Sequence, residues 1–290
     1  MSKRNLLNLS LFIFTLALVI LVIYEPGKKT PKTIPKLTAL EVNDVHSIKI
    51  IRTNAKPLEK ILEFEKTSAG WMMFKPYKLS ANDFRIDSIL KILSTESLSQ
   101  NDLKDLNKDT FGLTKPVATI TFNNDTSILF GNNKSLKHYR YVELDSMLHM
   151  VIDTFYYQLI AKAESYINHK LLHNKSKIVK LSLPNLLLKN TEGKWTVTPH
   201  SKSDSADSIN QLIDEWQYSQ AYDINIVKNK RKFRPDISIY LKNKQTINFK
   251  IEESKESFNL INTDTNVRYI LSADRKNKLL KLSGINQTNE

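Results

Sequence analysis

Hydrophobic and polar residues are unevenly distributed along the chain, and the longest apolar stretch lies near the N-terminus. The run LLNLSLFIFTLALVILVIY extends from Leu6 to Tyr24 and contains no charged residue. As a helix it would be about 28 Å long, close to the thickness of the hydrocarbon core of a bilayer. Lys3 and Arg4 precede the run, and no small-residue cleavage pattern follows it. The pattern therefore predicts an uncleaved signal anchor, a transmembrane helix within residues 1–28.

The segment after the anchor, EPGKKTPKTIPK, contains three prolines and no apolar periodicity. It predicts a semi-rigid spacer over residues 29–44. A short basic head before an apolar core is typical of an export signal, although Lys28, Lys29, Lys32 and Lys36 on the far side weaken the positive-inside argument. We expect a single-pass protein of the bacterial cytoplasmic (inner) membrane, with most of the chain on the periplasmic or external side.

Beyond the spacer, alternating apolar and polar positions occur twice in nearly the same order. PVATITFNNDTSILF (116–130) and PDISIYLKNKQTINF (235–249) match at a constant offset of 119 positions. Each predicts two strands around a polar turn. The matches continue on both sides, with GWMMFKP and GKWTVTP upstream (70–76 and 193–199) and YRYVEL and VRYILS downstream (139–144 and 267–272). This order of matches predicts a duplicated unit.

Each copy predicts the same series of elements. Two strands, at 45–52 and 61–66 or at 178–183 and 185–190, precede a short strand that carries a tryptophan, an amphipathic helix and three more strands. The helices are expected at about 82–95 and 206–218. In the first helix a core-facing stripe is expected at Phe84, Ile86, Ile89, Leu90 and Leu93.

The fold class that follows is α+β, with a single N-terminal transmembrane helix before tandem duplicated units. Each unit is a largely antiparallel sheet with one packed helix. A further helix, over about 154–172, is predicted from apolar residues at helical spacing. The expected boundaries are a first α+β repeat at 45–152, a linking helix at 153–175, a second repeat at 176–283 and a tail at 284–290.

Composition narrows the possible functions. The chain has 290 residues and no cysteine, which excludes disulfides, thiolate metal sites and a thiol nucleophile. Its formal net charge is +13, mostly from lysine, whereas nucleic-acid readers favour arginine, so we expect no nucleic-acid partner. The densest basic cluster comprises Lys228, Lys230, Arg231, Lys232 and Arg234. It predicts either a solvated lysine-rich loop or a surface for an anionic lipid or glycan.

A further set of motifs carries a family resemblance. The anchor is followed by W-x4-P from Trp71 to Pro76, an amphipathic helix, FGL-x2-P (111–116), FG (130–131) and RYV (140–142). This arrangement resembles an uncharacterised bacterial family, a domain of unknown function in membrane-anchored envelope proteins. Relatives of that family occur beside ABC-type transporter subunits associated with gliding motility. The second copy departs from the motifs, since FRP (233–235) replaces FGLTKP. The resemblance implies an envelope accessory role and no catalytic residues.

Several recurring residues have both a structural and a functional interpretation. Trp71 and Trp195 fit a sheet core or an aromatic platform for a sugar or peptide. Arg140 and Arg268 fit cross-sheet salt bridges or an anion-binding surface that would also include the basic cluster. Gly112 suits a tight turn of positive φ. Together with Pro116 and Pro235, the tryptophans and Gly112 are expected to be structural features of the repeat.

Candidate chemistry is sparse. His169 and His173 have the spacing of two ligands on a helix, but HKLLH lacks the glutamate that a zinc hydrolase places between them. Serine nucleophile contexts such as G-x-S-x-G do not occur. The sequence therefore assigns no catalytic, cofactor-binding or metal-ligating residue, and we expect no cofactor.

These observations favour a non-enzymatic membrane-anchored envelope protein, an accessory or binding component of an ABC-transporter-type or envelope-assembly complex. Its expected partners are the cytoplasmic membrane, through the N-terminal helix, and an envelope or ABC-transporter protein. Two alternatives stay open at this point. One is an enzyme that acts on an envelope polymer with carboxylates from two facing domains, and the other is a module that binds anionic lipid or glycan.

Overall fold

A computed structural model describes residues 3–24, 34–134, 138–173, 176–200, 204–228 and 233–283. The chain divides into two compact units, Met1–Pro35 and Lys36–Glu290. The helices are α1 Lys3–Tyr24, α2 Asp83–Leu90, α3 Tyr156–Ile160, α4 Ala206–Tyr218 and α5 Arg275–Leu280. The strands, described below, form two antiparallel sheets, so the fold is α+β as expected.

The first unit contains α1, an apolar helix with every residue exposed. The mean hydropathy of its most apolar window is 2.8, and its length and composition suit a membrane span or a signal anchor. The hydroxyl groups of Ser10 and Thr15 form hydrogen bonds within the helix. Ser10 Oγ donates to Leu7 O and Thr15 Oγ1 to Leu11 O, each at 2.8 Å, which keeps hydroxyl groups from needing water in an apolar medium.

The second unit begins with a nine-stranded sheet in the order β4-β3-β2-β1-β6-β7-β8-β9-β5. Its strands are β1 Ser47–Arg52, β2 Ile61–Thr67, β3 Gly70–Lys75, β4 Leu79–Ser80, β5 Ser99–Asp102, β6 Ala118–Phe122, β7 Thr126–Lys134, β8 Tyr139–Leu144 and β9 Met147–Ile152. Buried and half-buried residues alternate along β6, as expected for a sheet with one face in the core.

An eight-stranded sheet follows in the order β12-β11-β10-β14-β15-β16-β17-β13. Its strands are β10 Ile178–Leu183, β11 Leu186–Thr191, β12 Lys194–Thr198, β13 Asp223–Ile226, β14 Ile237–Leu241, β15 Thr246–Glu252, β16 Ser257–Asn262 and β17 Val267–Ser272. Apart from β4, this order is the same as in the first sheet. We call the part with β1–β9 the first half and the part with β10–β17 the second half.

The two hairpins that carry the sequence repeat also have the same register. Ile120 pairs with Ile128 in β6-β7, and Ile239 pairs with Ile247 in β14-β15. Pro116 and Pro235 each lie two residues before the first strand of their hairpin. The repeated sequence therefore forms one local structure twice.

A helix packs on the core side of each sheet. Asn82 and Ser205 are the N-caps of α2 and α4, and their side chains accept from the backbone N–H of Arg85 and Ser208 at 3.3 and 3.1 Å. One continuous hydrophobic cluster contains buried residues of both halves, from Leu37 to Leu279. Because Leu37 is only 5% exposed, the end of the expected spacer packs on the folded unit.

The prediction of a linking helix over residues 153–175 is wrong. Among the described residues of this segment, which end at 173, only α3 and a 3₁₀ turn at Ala163–Tyr166 are helical. The buried Arg52 donates from Nη1 to Ala161 O and so satisfies a carbonyl at the end of α3. The chain then pairs as an extended segment, with an isolated bridge between Ala81 and Ile167.

Three further expectations need correction. Five strands, not three, follow the helix of each half. Phe84, placed in the core-facing stripe of α2, is 72% exposed because it lies on the opposite side from the buried Ile86 and Ile89. YRYVEL forms β8 and VRYILS forms β17, which occupy different positions in their sheets, so these two stretches are not equivalent.

The register identifies the residue of the second half that is equivalent to Arg140. Phe130 of β7 pairs with Val142, and Phe249 of β15 pairs with Asn262. Val142 of β8 and Asn262 of β16 are therefore equivalent. Arg140 lies two residues before Val142, and Leu260 lies two residues before Asn262. Arg140 thus corresponds to Leu260, a fully buried core residue.

Candidate functional site

The most elaborate polar arrangement in the first half is a buried ion pair between Arg140 and Asp153. Arg140 Nε and Nη2 donate to Asp153 Oδ2 at 2.9 and 2.6 Å, and Nη1 donates to Gly131 O. The exposed fractions of these side chains are 4% and 11%. The β8-β9 hairpin produces the contact, because it places Arg140 opposite Val151 and Asp153 just beyond the strand end. Both charges are thereby compensated within the fold.

Two tyrosines of α3 flank this pair. The guanidinium of Arg140 lies 4.9 Å from the ring centroid of Tyr156, a cation-π geometry. Tyr156 and Tyr157 meet edge to face at a centroid distance of 5.5 Å. The Tyr157 ring is 79% exposed. Aromatic surface is therefore available beside a fixed polar group.

These residues line a cavity of about 370 Å³, which we call the Arg140 cavity. Its walls also include Asn132, Asn133 and His138. Within the described part of the chain, none of these three side chains makes a hydrogen bond. The cavity thus combines an internally paired charge, exposed amide and imidazole groups and aromatic rings.

Close packing of two glycines supports the strand that carries Asn132. Gly112 has φ of 69°, and a Cβ there would lie 2.3 Å from Asn132 Oδ1. A Cβ on Gly131 would lie 2.2 Å from Phe111 O. The FGL and FG motifs therefore pack directly on each other, and Gly112 has the positive φ that the sequence predicted.

A second surface of the first half lies between α2 and α3. This α2–α3 groove has a volume of about 480 Å³ and is lined by Phe84, Ser88, Lys91, Ser94, Thr95, Thr154, Phe155 and Gln158. Phe155 is 7% exposed, whereas Phe84 is 72% exposed. An aromatic ring held in solvent beside a groove is a feature of surfaces that contact another molecule.

Most of the other residues selected from the sequence have structural partners. Arg268 pairs with Glu252, with Nε–Oε2 and Nη2–Oε1 distances of 2.7 Å. Trp71 is 8% exposed and belongs to the core, and Trp195 packs against the core at the corresponding position of β12. The structure does not bring Arg140, Arg268 and the basic cluster together as one surface in its described residues.

The basic cluster is only partly described. Lys230, Arg231 and Lys232 lie outside the described residues. Lys228 and Arg234 are exposed.

The histidine pair has no helical spacing in the structure, because the segment from His169 to His173 is not a helix. His169 Nδ1 contacts Ala221 O at 3.1 Å. Among the described residues, no group of three or more His, Cys, Asp or Glu side chains is arranged to hold a metal ion.

Sequence reasoning missed Asp153, Tyr156, Tyr157 and the outward position of Phe84. The first could have been found, since a β8-β9 hairpin with its turn at Asp145-Ser146 brings Asp153 near Arg140. The two tyrosines were missed because the sequence predicted one long helix over about 154–172.

These features define an α+β protein of two antiparallel sheets, with an N-terminal apolar helix long enough to be a membrane span or signal anchor. The chain belongs to the family described as domain of unknown function (DUF4340), whose match covers residues 71–232, more than half of the chain. This match agrees with the resemblance to an uncharacterised family, and an association with transporter subunits stays a prediction. Comparisons with curated proteins and with solved structures each found no match.

Proposed function

We propose that this chain is a non-enzymatic, membrane-anchored envelope protein that binds a protein subunit of a larger complex through the α2–α3 groove. The observation that carries the proposal is the exposure of Phe84 at the edge of that groove. Burial of this ring by a partner would gain about 2 kcal/mol from the removal of apolar surface from water.

The chemistry of the groove indicates the kind of partner. Phe155 offers an apolar floor, while Ser88, Ser94 and Thr95 offer hydroxyl groups at the rim. An apolar anchor within a polar rim is the usual arrangement of a protein-protein contact. We therefore propose a protein segment that presents an apolar side chain, rather than a small charged ligand.

The partner we propose belongs to an ABC-transporter-type or envelope-assembly complex. Support comes from α1, whose length and hydropathy suit a membrane span, and from the resemblance to membrane-anchored envelope proteins. In this proposal α1 spans the cytoplasmic membrane and the folded unit lies on its periplasmic or external side. Lys3 and Arg4, in the first turn of α1 and before its apolar run, support that orientation.

We also propose that the two halves arose by duplication of one unit. Support comes from the common strand order, the equal hairpin registers and the matching proline positions.

The experiment is in-cell crosslinking of the full-length chain, followed by mass spectrometry of the captured proteins. Wild type is compared with Phe84→Ser and with Tyr218→Ser, a control that removes a 69% exposed aromatic ring from α4 of the second half. We expect a membrane-complex subunit in a stable ratio with the wild type and the control, and about tenfold less with Phe84→Ser. Equal capture by all three variants, or capture of the chain alone, would contradict the proposal.

A further inference from the structure

The Arg140 cavity has a composition that differs from that of the α2–α3 groove. Its floor holds the Arg140–Asp153 pair, whose charges compensate each other at 2.6 Å. Its aromatic wall is formed by Tyr156 and by Tyr157, which is 79% exposed. From this composition we propose that the cavity is a binding site for a neutral saccharide unit. This inference does not depend on the protein partner proposed above.

Charge argues for a neutral ligand. The guanidinium of Arg140 already donates to Asp153 and to Gly131 O, so an anion would have to compete with a buried internal partner. Asp153 Oδ1 accepts no hydrogen bond within the described part of the chain. This oxygen is itself buried, and the negative charge of the carboxylate disfavours an anion in the cavity beside it.

Shape and hydrogen-bonding capacity argue for a sugar. The ring of Tyr157 offers an open flat face on which the apolar C–H face of a pyranose ring can lie. Asn132, Asn133 and His138 surround the cavity with side-chain donors and acceptors that have no internal partners in the described ranges. Amide and imidazole side chains can both donate to and accept from the hydroxyl groups of such a ligand.

Size is consistent with this ligand class. The volume of about 370 Å³ lies at the lower end of the range for small-molecule sites.

The supports of the cavity are fixed before a ligand arrives. Arg140 is held by three donated hydrogen bonds and by the Tyr156 ring. The packing of Gly112 on the Asn132 side chain fixes the end of β7. A site that is already ordered loses less conformational entropy when it binds, which suits a weak, repeated contact with a polymer.

The test uses the full-length chain in phospholipid nanodiscs, because glycoside detergents would themselves occupy a sugar site. Saturation-transfer NMR measures binding of three probes: a neutral N-acetylglucosamine trisaccharide, a neutral glucose trisaccharide and an acidic glucuronate trisaccharide. The variants are Tyr157→Ala, Tyr157→Trp and the control Tyr218→Ala, whose ring is 69% exposed in the second half.

We expect at least one neutral probe to bind and the acidic probe to bind more weakly. Binding should fall about tenfold in Tyr157→Ala and be retained in Tyr157→Trp and Tyr218→Ala, because only the first removes the aromatic face at the cavity. The proposal is overturned if neither neutral probe binds, if the acidic probe binds better, or if Tyr157→Ala binds as well as wild type. Binding of a neutral peptide at the same site with no saccharide binding would also overturn it.

Discussion

The two halves have the same order of eight strands, yet they close their cores in different ways. In the second half, α4 carries the fully buried Trp216, whose Nε1 donates to Leu279 O of α5 at 2.8 Å, while Tyr218 at the end of the same helix is exposed. In the first half, α2 turns Phe84 outward into solvent. The first half also has a buried Arg140 where the register of the second half has Leu260.

This difference separates the requirements of the fold from those of a site. A residue that packs the sheet-helix interface is replaced by another apolar residue without loss of the architecture. A buried arginine or an exposed phenylalanine contributes less to stability than an apolar core residue would. Both features occur in the first half, together with the Arg140 cavity and the α2–α3 groove.

The largest expected difference in the free energy of unfolding is between variants of Trp216 in α4 and Phe84 in α2. Trp216→Ala should lower the free energy of unfolding by about 3–5 kcal/mol, because it leaves a cavity against Phe249 and removes the hydrogen bond to Leu279. Phe84→Ala should change it by less than about 0.5 kcal/mol, since the ring is exposed. Urea unfolding of the full chain, followed by circular dichroism, measures both. A larger loss for Phe84→Ala would show that the ring packs within the fold.

The second comparison concerns the ion pairs. Asp153→Ala leaves the charge of Arg140 buried without its partner and should cost about 3 kcal/mol. Glu252→Ala opens a pair whose side chains are 30% and 34% exposed, and should cost less than about 1 kcal/mol. The same unfolding measurement applies. Equal losses would mean that the Arg140 pair is no more than a surface contact.

Gly131 and Lys250 follow equivalent phenylalanines in β7 and β15. Gly131→Ala should cost about 1–3 kcal/mol, because its Cβ would lie 2.2 Å from Phe111 O and push the turn away. Lys250→Ala should cost less than about 1 kcal/mol, since it removes only a half-exposed pair with Asp236. Thermal unfolding of both variants tests this. A neutral Gly131→Ala would show that the turn does not pack as described.

The smallest effect is a pH dependence found in the first half. Burial lowers the pKa of His149 below its ordinary value of 6.5, and its Nδ1 lies 2.9 Å from Ser97 Oγ. The unfolded chain therefore binds a proton that the folded chain does not, so stability should fall as the pH drops from about 6.5 toward the lowered pKa. Below that lowered pKa the loss is complete.

The control for this effect comes from the other half. By register the equivalent of His149 is Val267, a fully buried residue. His149→Val should reduce the decline in the free energy of unfolding between pH 7.5 and pH 5. An unchanged decline would assign it to other groups.

Much of the architecture follows from local pattern. The bounds of β10 and α4 are the predicted ones, because alternation and helical spacing are unambiguous there. The segment at 154–172 also has helical spacing, but it forms only the short α3 and a 3₁₀ turn, and Ala161 O between them accepts from Arg52, a residue distant in sequence. Periodicity indicates which side chains are apolar, and does not show which distant group will end a helix.

The candidate sites were less predictable for the same reason. Arg140 was selected as a recurring arginine, but its partner depends on the hairpin register and its Tyr156 contact on the short α3. Phe84 fits an apolar stripe in sequence, and only the packed orientation of α2 exposes it. Contacts between side chains of different strands and helices cannot be read from the spacing of apolar residues within one strand or helix.

The central claim is that the first half, not the second, contacts a protein partner. The most direct measurement is in-cell photo-crosslinking of the full chain with a photoreactive residue at Ser88 of the α2–α3 groove. The matched position is Gln211 on α4, which lines the surface of the corresponding helix in the second half. We predict a crosslink to one membrane-complex subunit from position 88 and none to that subunit from position 211. The same subunit captured equally from both positions, or from position 211 alone, would contradict the account.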